Sequence, residues 1–369
     1  MSLLIAGRIA RRGALASGWV EVRNGAVAAL GSGAPPRVPD ECHPGLIAPG
    51  LVDLQVNGGA GVQVTDGHGA LDRLETTLLA RGVTSYLPTL ISAPDDVLTR
   101  AVQELAERAA DPASPVVGVH LEGPFLSAAH AGVHRTRWLR VPAAGSPPPA
   151  YASAAVRLVT IAPELEGALD LVRALRAQGA TVSLGHSDAD AATARAAFAA
   201  GASLVTHVFD AMLPLHHRAP GLAGAALVHP SARVGIIADG HHVDPIMLEL
   251  VRRAAGPRVV LVSDASPAAA APPGRYFIGD SLLERTADGV ARTPDGVLAG
   301  SAILLDEAVR SWTAFTNATL AEAIAAAAEA PAHAIGLPAP LTQGAPADLV
   351  LTDDAGAVLR VMRHGDWVT

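Results

Sequence analysis

The sequence predicts a (β/α)8 TIM-like barrel joined to a small β-sandwich domain that is built from both ends of the chain. Three observations lead to this fold class. Eight short apolar or β-branched segments follow one another from residue 46 to 265, helical patterns separate most of them, and both ends of the chain carry β-type patterns. Alternating strands and helices are typical of α/β folds, and eight repeats fit a closed barrel. We therefore expect the barrel at 49–337 and the sandwich at 1–48 and 338–369.

The eight predicted strands are short runs, several of which end on polar residues. They are 46–58, 83–90, 116–123, 156–164, 181–188, 203–210, 233–242 and 258–265. A doubly wound open sheet is the alternative arrangement. Such sheets usually carry a glycine-rich phosphate turn after an early strand, and neither GxGxxG nor GxxxxGKS occurs in this sequence. The barrel is therefore the favoured arrangement.

Helical patterns with recognisable boundaries lie between the predicted strands. They cover residues 95–110, 164–178, 188–200 and 244–255. Either Asp188 or Asp190 is a suitable N-cap for the third helix, and Asp244 caps the fourth, where Pro245 follows at the first helical position. A glycine directly follows the second and third helices, which is a common way for a helix to end.

The two ends of the chain have a different pattern from the centre. The first 48 residues contain LLIAGRIA and WVEVRNGAVAAL, and the tail ADLVLTDDAGAVLRVMRHGDWVT also alternates between apolar and polar residues. Alternation with a period of two predicts strands with one buried face. We expect these segments to assemble into one small β-domain beside the barrel.

Composition excludes several classes of function. The net charge is −8, so no basic footprint for nucleic acid is expected. Cys42 is the only cysteine, which rules out an intrachain disulfide and fits a reducing compartment. The start, MSLLIAGRIARRG, does not resemble a signal peptide, and no uncharged apolar stretch approaches the roughly 18 residues that a membrane helix needs. We expect a cytoplasmic protein that binds neither nucleic acid nor membrane.

Metal-binding side chains lie at the ends of the predicted strands. Glu122 ends the third strand, His186 the fifth, His207 the sixth and Asp264 the eighth. In a (β/α)8 barrel these ends meet at one mouth, where active sites form. One carboxylate and two imidazoles can hold a divalent metal and leave one position open, as catalytic zinc sites do. Asp264 is then the free carboxylate that acts first as general base and afterwards as general acid.

Each of these residues has a simpler structural explanation when it is taken alone. A glutamate at a strand end often makes a loop salt bridge, a lone histidine is usually a hydrogen-bonded core or cap residue, and an aspartate can cap a helix. The coincidence of several such residues at corresponding ends of successive strands favours the metal site.

The first predicted strand argues against a second metal ion held by its side chains. DLQVNG places Asp53, Gln55 and Asn57 on one face, where binuclear barrel hydrolases often carry His-x-His. Amide side chains are poor zinc ligands compared with imidazole. His120, two residues before Glu122, is predicted to be a packed histidine rather than a ligand.

Motifs along most of the chain form a recognisable series. They are PGLVDLQVNGGAG, YLPTL, GVHLEGPFLS followed by AGVH, TIAPE, LGHSDA, THVFDAM, RAPGLAGAAL, GIIADGHHVD, LVSDA, LAGS and PAHAIGL. In this order, the series resembles the N-acetylglucosamine-6-phosphate deacetylase family of the amidohydrolase superfamily. HLEGP, the spaced GHS and TH, and ADGxH are together quite specific. The resemblance implies a (β/α)8 barrel with a β-sandwich made from both termini, in agreement with the pattern of elements.

The resemblance also implies roles for individual residues. Glu122, His186 and His207 would hold one divalent metal ion per subunit, with zinc expected, and Asp264 would shuttle the proton. His134, in AGVH, would polarise the acetyl carbonyl, so Asp264 and His134 are the implied catalytic residues. The implied substrate contacts, with Arg218 at the phosphate, are Val133, His134, Asp210, Ala211, Arg218, Asp239, His242, Leu298, Ala299 and Gly300. A homodimer is implied as well, because in the family a neighbouring subunit completes the phosphate site.

The leading functional hypothesis is hydrolysis of the N-acetyl group of N-acetylglucosamine 6-phosphate, which gives glucosamine 6-phosphate and acetate. The alternative keeps this chemistry on another N-acyl substrate, such as N-acetylgalactosamine 6-phosphate or an unphosphorylated N-acyl sugar or amino acid. Its main support is Asp210, which stands where the family usually has asparagine. A third hypothesis, a non-catalytic sugar-phosphate-binding protein, is disfavoured because all the ligand-type residues and Asp264 are present.

Overall fold

A computed structural model describes residues 2–143 and 147–368 of the chain. The strands within these residues are, in chain order, β1 (Ser2–Arg11), β2 (Ala14–Arg23), β3 (Ala26–Ser32), β4 (Glu41–Pro49), β5 (Leu51–Val56), β6 (Gly58–Gly59), β7 (Val62–Gln63), β8 (Val83–Ile91), β9 (Val119–Glu122), β10 (Val156–Ile161), β11 (Thr181–Leu184), β12 (Leu204–Val205), β13 (Arg233–Ile237), β14 (Val259–Val262), β15 (Gly274–Ile278), β16 (Ser281–Arg285), β17 (Ala291–Arg292), β18 (Leu349–Thr352), β19 (Val358–Arg363) and β20 (Asp366–Trp367).

The α-helices of the same residues lie mostly between the parallel strands. They are α1 (His68–Ala80), α2 (Asp95–Ala110), α3 (Ala168–Ala177), α4 (Ala191–Ala200), α5 (Gly221–Val228), α6 (Pro245–Ala255), α7 (Leu305–Phe315), α8 (Leu320–Ala327) and α9 (Glu329–Ala334). Short 3₁₀ turns occupy Ala128–His130, Thr136–Trp138, Pro149–Ala152 and Gly256–Arg258. In the described ranges, no helix combines the length and the apolar character needed to cross a membrane.

Eight parallel strands form the barrel, in the order β5, β8, β9, β10, β11, β12, β13 and β14. Its two edge strands approach each other at one end. The backbone N–H groups of Asn57 and Gly58 donate to the carbonyl oxygen of Ala265 at 2.8 and 3.1 Å, and the Asp53 carboxylate accepts the N–H of Ser263 at 3.2 Å. The barrel is therefore nearly closed, and the predicted fold class is confirmed.

Apart from β8, the barrel strands are shorter than the sequence pattern predicted. In particular, the prediction of one strand over 46–58 is wrong, because Glu41–Pro49 belongs to a different sheet from Leu51–Val56. The break falls at Gly50, where a Cβ atom would lie only 2.1 Å from the Thr84 hydroxyl oxygen. Only glycine allows the backbone to pass so close to β8 while the chain moves from one sheet to the other.

The helix boundaries follow local hydrogen bonds. The N-cap of α4 is Asp190, whose carboxylate accepts the N–H of Thr193 at 2.7 Å, so Asp190 rather than Asp188 is the cap. Helices α2 and α6 match the predicted ranges closely. Helix α3 starts later than predicted, since the Glu164 carboxylate instead accepts hydrogen bonds from Ser187 and from the N–H of Asp188, at 2.7 and 2.6 Å.

Most of the core lies between the barrel strands and the surrounding helices, where small and branched side chains dominate. Trp312 of α7 is the largest fully buried side chain in this layer. The inside of the barrel holds a separate apolar cluster that includes Leu54, Leu158 and Val260. The barrel is thus packed on both faces, as parallel sheets generally are.

A seven-stranded sheet combines both ends of the chain, in the order β20, β19, β18, β4, β1, β2 and β3. Strand β4 joins the two ends, because it pairs in parallel with β1 and antiparallel with β18. Side chains from both halves of this sheet meet in one core, which includes Ile5, Val20, Ile47, Leu349 and Met362. The chain ends therefore assemble into one β-unit, as the alternating patterns at the two ends predicted.

A small antiparallel excursion interrupts the chain between β14 and α7. It consists of β15, β16 and β17. Ile278 and Leu283 of this excursion pack with Ala299, while Ile91 and Val133 lie against the same cluster. This packing holds the excursion beside the loops that follow β8 and β9, close to the mouth of the barrel.

Candidate active site

Three buried ligand-type side chains meet at the mouth of the barrel. Glu122 is the last residue of β9, His186 follows β11 by two residues and His207 follows β12 by two residues. Their potential ligand atoms all lie within 4.8 Å of one another. Within the described ranges this is the one group of three or more such residues, and it matches the predicted set.

The backbone turns sharply at the residues that follow these strands. His186, His207 and Asp264 have φ angles of 47°, 23° and 47°, in the left-handed region that side-chain-bearing residues rarely adopt. Each such conformation costs on the order of 1–3 kcal/mol and persists because the surroundings hold it. The chain leaves each strand at this turn, which brings the two imidazoles and the carboxylate together.

Hydrogen bonds set the orientation of the His186 ring. Its Nδ1 lies 2.8 Å from the carbonyl oxygen of His130, and because a carbonyl can only accept, Nδ1 carries the hydrogen. The lone pair of Nε2 is then free, and Nε2 lies 3.3 Å from Glu122 Oε1. In metal-binding histidines, one ring nitrogen usually donates a hydrogen bond that fixes the ring, and the other nitrogen binds the metal.

The charges of the triad are those that a cation site needs. Burial acts to raise the pKa of Glu122, but the neighbouring imidazoles of His134, His186 and His207 outweigh this effect and hold that pKa well below its ordinary value. Burial lowers the pKa of His207, but the Glu122 carboxylate 3.1 Å away raises it more, to about 9. Without a cation, a proton on His207 balances the Glu122 charge. One carboxylate and two imidazoles, buried and convergent, fit a divalent cation that displaces this proton.

Asp264 lies beside the triad without belonging to it. Its Oδ1 accepts a 2.8 Å hydrogen bond from Asn57 Nδ2. Burial and the negative charge of Glu122 raise the pKa of Asp264 to about 7. A buried carboxylate with a pKa near neutrality is suited to take up and return a proton.

His134 faces the triad with a defined tautomer. The backbone N–H of Ser92 donates to His134 Nδ1 at 3.2 Å, and the Ser92 hydroxyl lies 2.8 Å from the same atom. Since Nδ1 accepts, the ring hydrogen is on Nε2. That atom lies 3.7 Å from Glu122 Oε2 and has no hydrogen-bond partner among the described residues. His134 can therefore donate a hydrogen bond to a group that binds beside Glu122.

The two amides of β5 and its loop act as donors to carboxylates. Gln55 Nε2 donates to Glu122 Oε1 at 2.9 Å, just as Asn57 donates to Asp264. They therefore orient the carboxylates. His120 is also a structural residue, as predicted, because its Nε2 lies 2.8 Å from the Thr160 hydroxyl and its Nδ1 lies 3.1 Å from the Leu54 carbonyl.

These groups open into a cavity of about 430 Å³ at the barrel mouth. The residues expected from the sequence that line it are Glu122, Val133, His134, His186, His207, Asp210, Ala211, His242, Asp264, Leu298 and Gly300. Arg292, at the end of β17, and Asn57 also line it. The volume suits a small-molecule ligand.

Asp239, His242 and Asp210 form a polar group on one wall. Asp239 supports His242 by accepting its Nδ1–H at 2.7 Å, but Asp239 itself is not among the lining residues. Burial acts to raise the pKa of Asp239, but the His242 hydrogen bond lowers it to about 2. Burial raises the pKa of Asp210 to about 6, and its Oδ2 has no hydrogen-bond partner among the described residues. A ligand in the cavity can supply this missing partner.

Besides Asp239, two expected residues lie apart from the cavity. Arg218 is exposed and does not contribute to the lining within this single chain. Ala299 packs into the apolar cluster with Ile278 and Leu283. The sequence reasoning missed Ser92 and Arg292. Ser92 directly follows β8, so the strand-end rule that located Glu122 could have found it.

The rate should depend on pH through Asp264. With Asp264 as the general base expected from the sequence, its carboxylate must be ionised, so kcat/KM is expected to fall as the pH drops through the pKa of Asp264, which is about 7 without a cation and lower with one nearby. Asn57→Ala removes a hydrogen bond that favours the ionised form, so the acidic limb should move to higher pH. A pH–rate profile of both proteins measures this. An unmoved limb would show that another group titrates.

Comparison with known proteins gives a consistent result. Residues 46–368 match the profile of the Amidohydrolase family. The chain is 38% identical over 354 residues to N-acetylglucosamine-6-phosphate deacetylase of Bos taurus, covering 90% of this chain and 86% of the relative. It is 39% identical over 297 residues to N-acetylgalactosamine-6-phosphate deacetylase of Escherichia coli O157:H7, covering 79% and 78%. The solved structure of N-acetyl-D-glucosamine-6-phosphate deacetylase from Mycobacterium smegmatis superimposes with a TM-score of 0.92 at 34% identity, over all of both chains.

Proposed function

The chain belongs to the amidohydrolase family, and from that premise we propose that it hydrolyses N-acetylglucosamine 6-phosphate to glucosamine 6-phosphate and acetate. The observation that carries the proposal is the convergence of Asp264, His134 and the Glu122–His186–His207 triad on one cavity. Two relatives with this printed activity are 38% identical to this chain over 354 aligned residues.

The residues around the cavity have complementary roles in amide hydrolysis. Asp264 takes a proton from the attacking water and later delivers it to the departing amine nitrogen. His134 donates a hydrogen bond from Nε2 to the acetyl oxygen, on which negative charge develops. Asn57 holds the Asp264 carboxylate, and Ser92 holds the His134 ring. Each reacting group is thus fixed by a second side chain.

Glu122, His186 and His207 would hold the metal, and we propose zinc because two imidazoles and a carboxylate are a common catalytic zinc set. When it is bound, the cation supplies Lewis-acid activation of water and of the acetyl carbonyl. Gln55 fixes the Glu122 carboxylate and the His130 carbonyl fixes His186.

The sugar phosphate would extend from the reacting amide toward Asp210, Ala211 and His242. We propose that the enzyme is a homodimer in which Arg218 contacts the phosphate. Within one chain Arg218 does not line the cavity, and a second subunit would complete the phosphate site. Val133, Asp239, Leu298, Ala299 and Gly300 would contact or support the sugar. We place the enzyme in the cytoplasm, with a barrel at 49–337 and a terminal domain at 1–48 and 338–369.

A second candidate substrate is N-acetylgalactosamine 6-phosphate. A relative with that printed activity is as similar to this chain as the glucosamine-specific ones are. Asp210 also favours a distinct sugar contact, because its unpartnered Oδ2 can accept a hydrogen bond from a sugar hydroxyl. The two substrates differ in the orientation of one hydroxyl, so this single contact can discriminate between them.

An acetate-release assay on four compounds tests the proposal. The two N-acetylhexosamine 6-phosphates and their unphosphorylated forms would be compared with metal-loaded enzyme. We expect kcat/KM for N-acetylglucosamine 6-phosphate to exceed that for the free sugar by at least about 100-fold, because the proposed charge-assisted contact with Arg218 is lost with the phosphate. Equal rates would contradict phosphate recognition, and a higher rate with the galactosamine compound would select the second candidate.

A further inference from the structure

A second cavity lies beside the active-site cavity and shares part of its wall. Its volume is about 300 Å³, and Asn57, Ile91 and Ile278 line both spaces. These three side chains therefore form the partition at which the two cavities adjoin. Ile91 packs against the cluster that contains Ile278, so the partition is mainly apolar.

The second cavity begins very close to the reacting groups. Asn57 is hydrogen-bonded to Asp264 at 2.8 Å. Ser92, which also lines the second cavity, lies 2.8 Å from His134 Nδ1. Two residues of the cavity wall, Asn57 and Ser92, thus contact Asp264 and His134, which are the proposed general base and the proposed donor to the carbonyl oxygen.

The position of the second cavity relative to the proposed sugar contacts indicates which part of a substrate faces this cavity. Asp210 and His242, the proposed sugar contacts, follow β12 and β13, whereas Asn57 and Ser92 follow β5 and β8 across the barrel mouth. The carbonyl carbon of an N-acyl sugar is bonded on one side to the amide nitrogen and on another to the alkyl group of the acyl chain. When the amide nitrogen of the sugar lies toward Asp210 and His242, the alkyl group of the acyl chain points toward the partition.

The walls of the second cavity suit an alkyl chain. They include Leu90, Pro94, Val97, Ala101 and Trp138. Each methylene group that moves from water to contact such walls raises the binding affinity about fourfold. Four additional carbons, each comparable in size to the roughly 30 Å³ share of one water molecule, fit within about 300 Å³.

We propose that this cavity receives acyl chains longer than acetyl, so that the enzyme also hydrolyses N-butanoyl to N-hexanoyl hexosamine 6-phosphates. The inference rests on the proposed function, because it extends the same reaction to longer acyl groups. The water oxygen bonds to the acyl carbon, the C–N bond breaks, and the amine leaves with a proton while the short-chain carboxylate is released. No further reactant is needed.

The test compares acetyl, butanoyl and hexanoyl derivatives of glucosamine 6-phosphate by the release of free amine. For the unaltered enzyme we expect kcat/KM with the hexanoyl compound to lie within about tenfold of the acetyl value. Val97, on α2, lines the second cavity and not the first, and it is 42% exposed. Val97→Trp places an indole in a wall that the active-site cavity does not share and should lower the hexanoyl-to-acetyl ratio at least about tenfold.

A matched variant controls for the effect of a new tryptophan on α2. Gln103 is exposed on the same helix and does not line the cavity, so Gln103→Trp should leave the ratio unchanged. Ala93→Phe, also in the cavity wall, is a second blocking variant that serves if Val97→Trp folds poorly, as judged by circular dichroism.

Three results would overturn the inference. Turnover of the acetyl compound without turnover of the butanoyl and hexanoyl compounds removes it and leaves the proposed function intact. Hexanoyl turnover with an unchanged ratio in both blocking variants shows that the chain lies elsewhere. Absence of amine release from all three compounds removes the proposed function and the inference together.

Discussion

Asp264→Asn is expected to lower kcat by at least about 10³-fold while the bound metal is retained. General acid–base catalysis contributes typically 10²–10⁴-fold, and in the proposed mechanism Asp264 serves in both directions of proton transfer. Asparagine has the same shape, and its Oδ1 can still accept the hydrogen bond that Asn57 now gives to Asp264 at 2.8 Å. The variant therefore removes the proton acceptor with little change in geometry. Acetate release measures the loss, and metal analysis measures the cation content of the same sample.

The metal analysis decides how the result is interpreted. Loss of the cation from Asp264→Asn would show that Asp264 is a ligand, and the proton-transfer role would then be wrong. Residual turnover within tenfold of the unaltered enzyme, with metal present, would show that another group accepts the proton. Asp239→Asn is a useful comparison, because Asp239 supports His242 on the other wall and its loss should mainly raise KM.

Glu122→Gln is expected to remove the cation and with it the turnover. Glu122 is the only carboxylate of the triad, and Gln55, His186 and His207 all approach its Oε1. A neutral amide supplies no charge to balance a dication, and its NH₂ group cannot act as a ligand. Metal content after dialysis and acetate release at several added metal concentrations would measure the effect.

Gln55→Ala provides the graded control for this prediction. Gln55 donates to Glu122 Oε1 at 2.9 Å but offers no strong zinc ligand. Loss of a group that only orients a ligand typically lowers metal affinity by about 10–100-fold, so turnover of Gln55→Ala should return when more metal is added. Glu122→Gln should not recover under the same conditions. Equal recovery of both variants would contradict the assignment of Glu122 as a ligand.

The pattern of eight parallel strands was predictable because each strand is an apolar run bounded by turn residues. The ends of those strands were less predictable. Residues 203–210 read as one strand, yet β12 contains only Leu204 and Val205. The chain leaves the strand because His207 adopts a left-handed backbone conformation, and this conformation depends on the packing around the site rather than on local residue preference.

The meeting of Glu122, His186, His207 and Asp264 could be predicted because they lie at the ends of four different strands of one barrel, and the mouth is where strand ends meet. The positions of Ser92 and Arg292 at the site could not be predicted in the same way. A serine after a strand is common in any loop, so its contact with His134 becomes informative only in three dimensions. Arg292 lies at the end of the antiparallel excursion, whose short strands lack the long apolar runs that identify the barrel.

The connection of both chain ends through β4 has a consequence for biosynthesis. On a ribosome, β1 to β4 emerge first, but the partner of β4 on its other side is β18, which follows the complete barrel in the chain. During that interval, the backbone groups on one side of β4 have no partner, and such an open strand can pair with a second nascent chain. We therefore expect newly made protein to be most prone to aggregation late in translation, and a chaperone that covers extended segments to raise its yield.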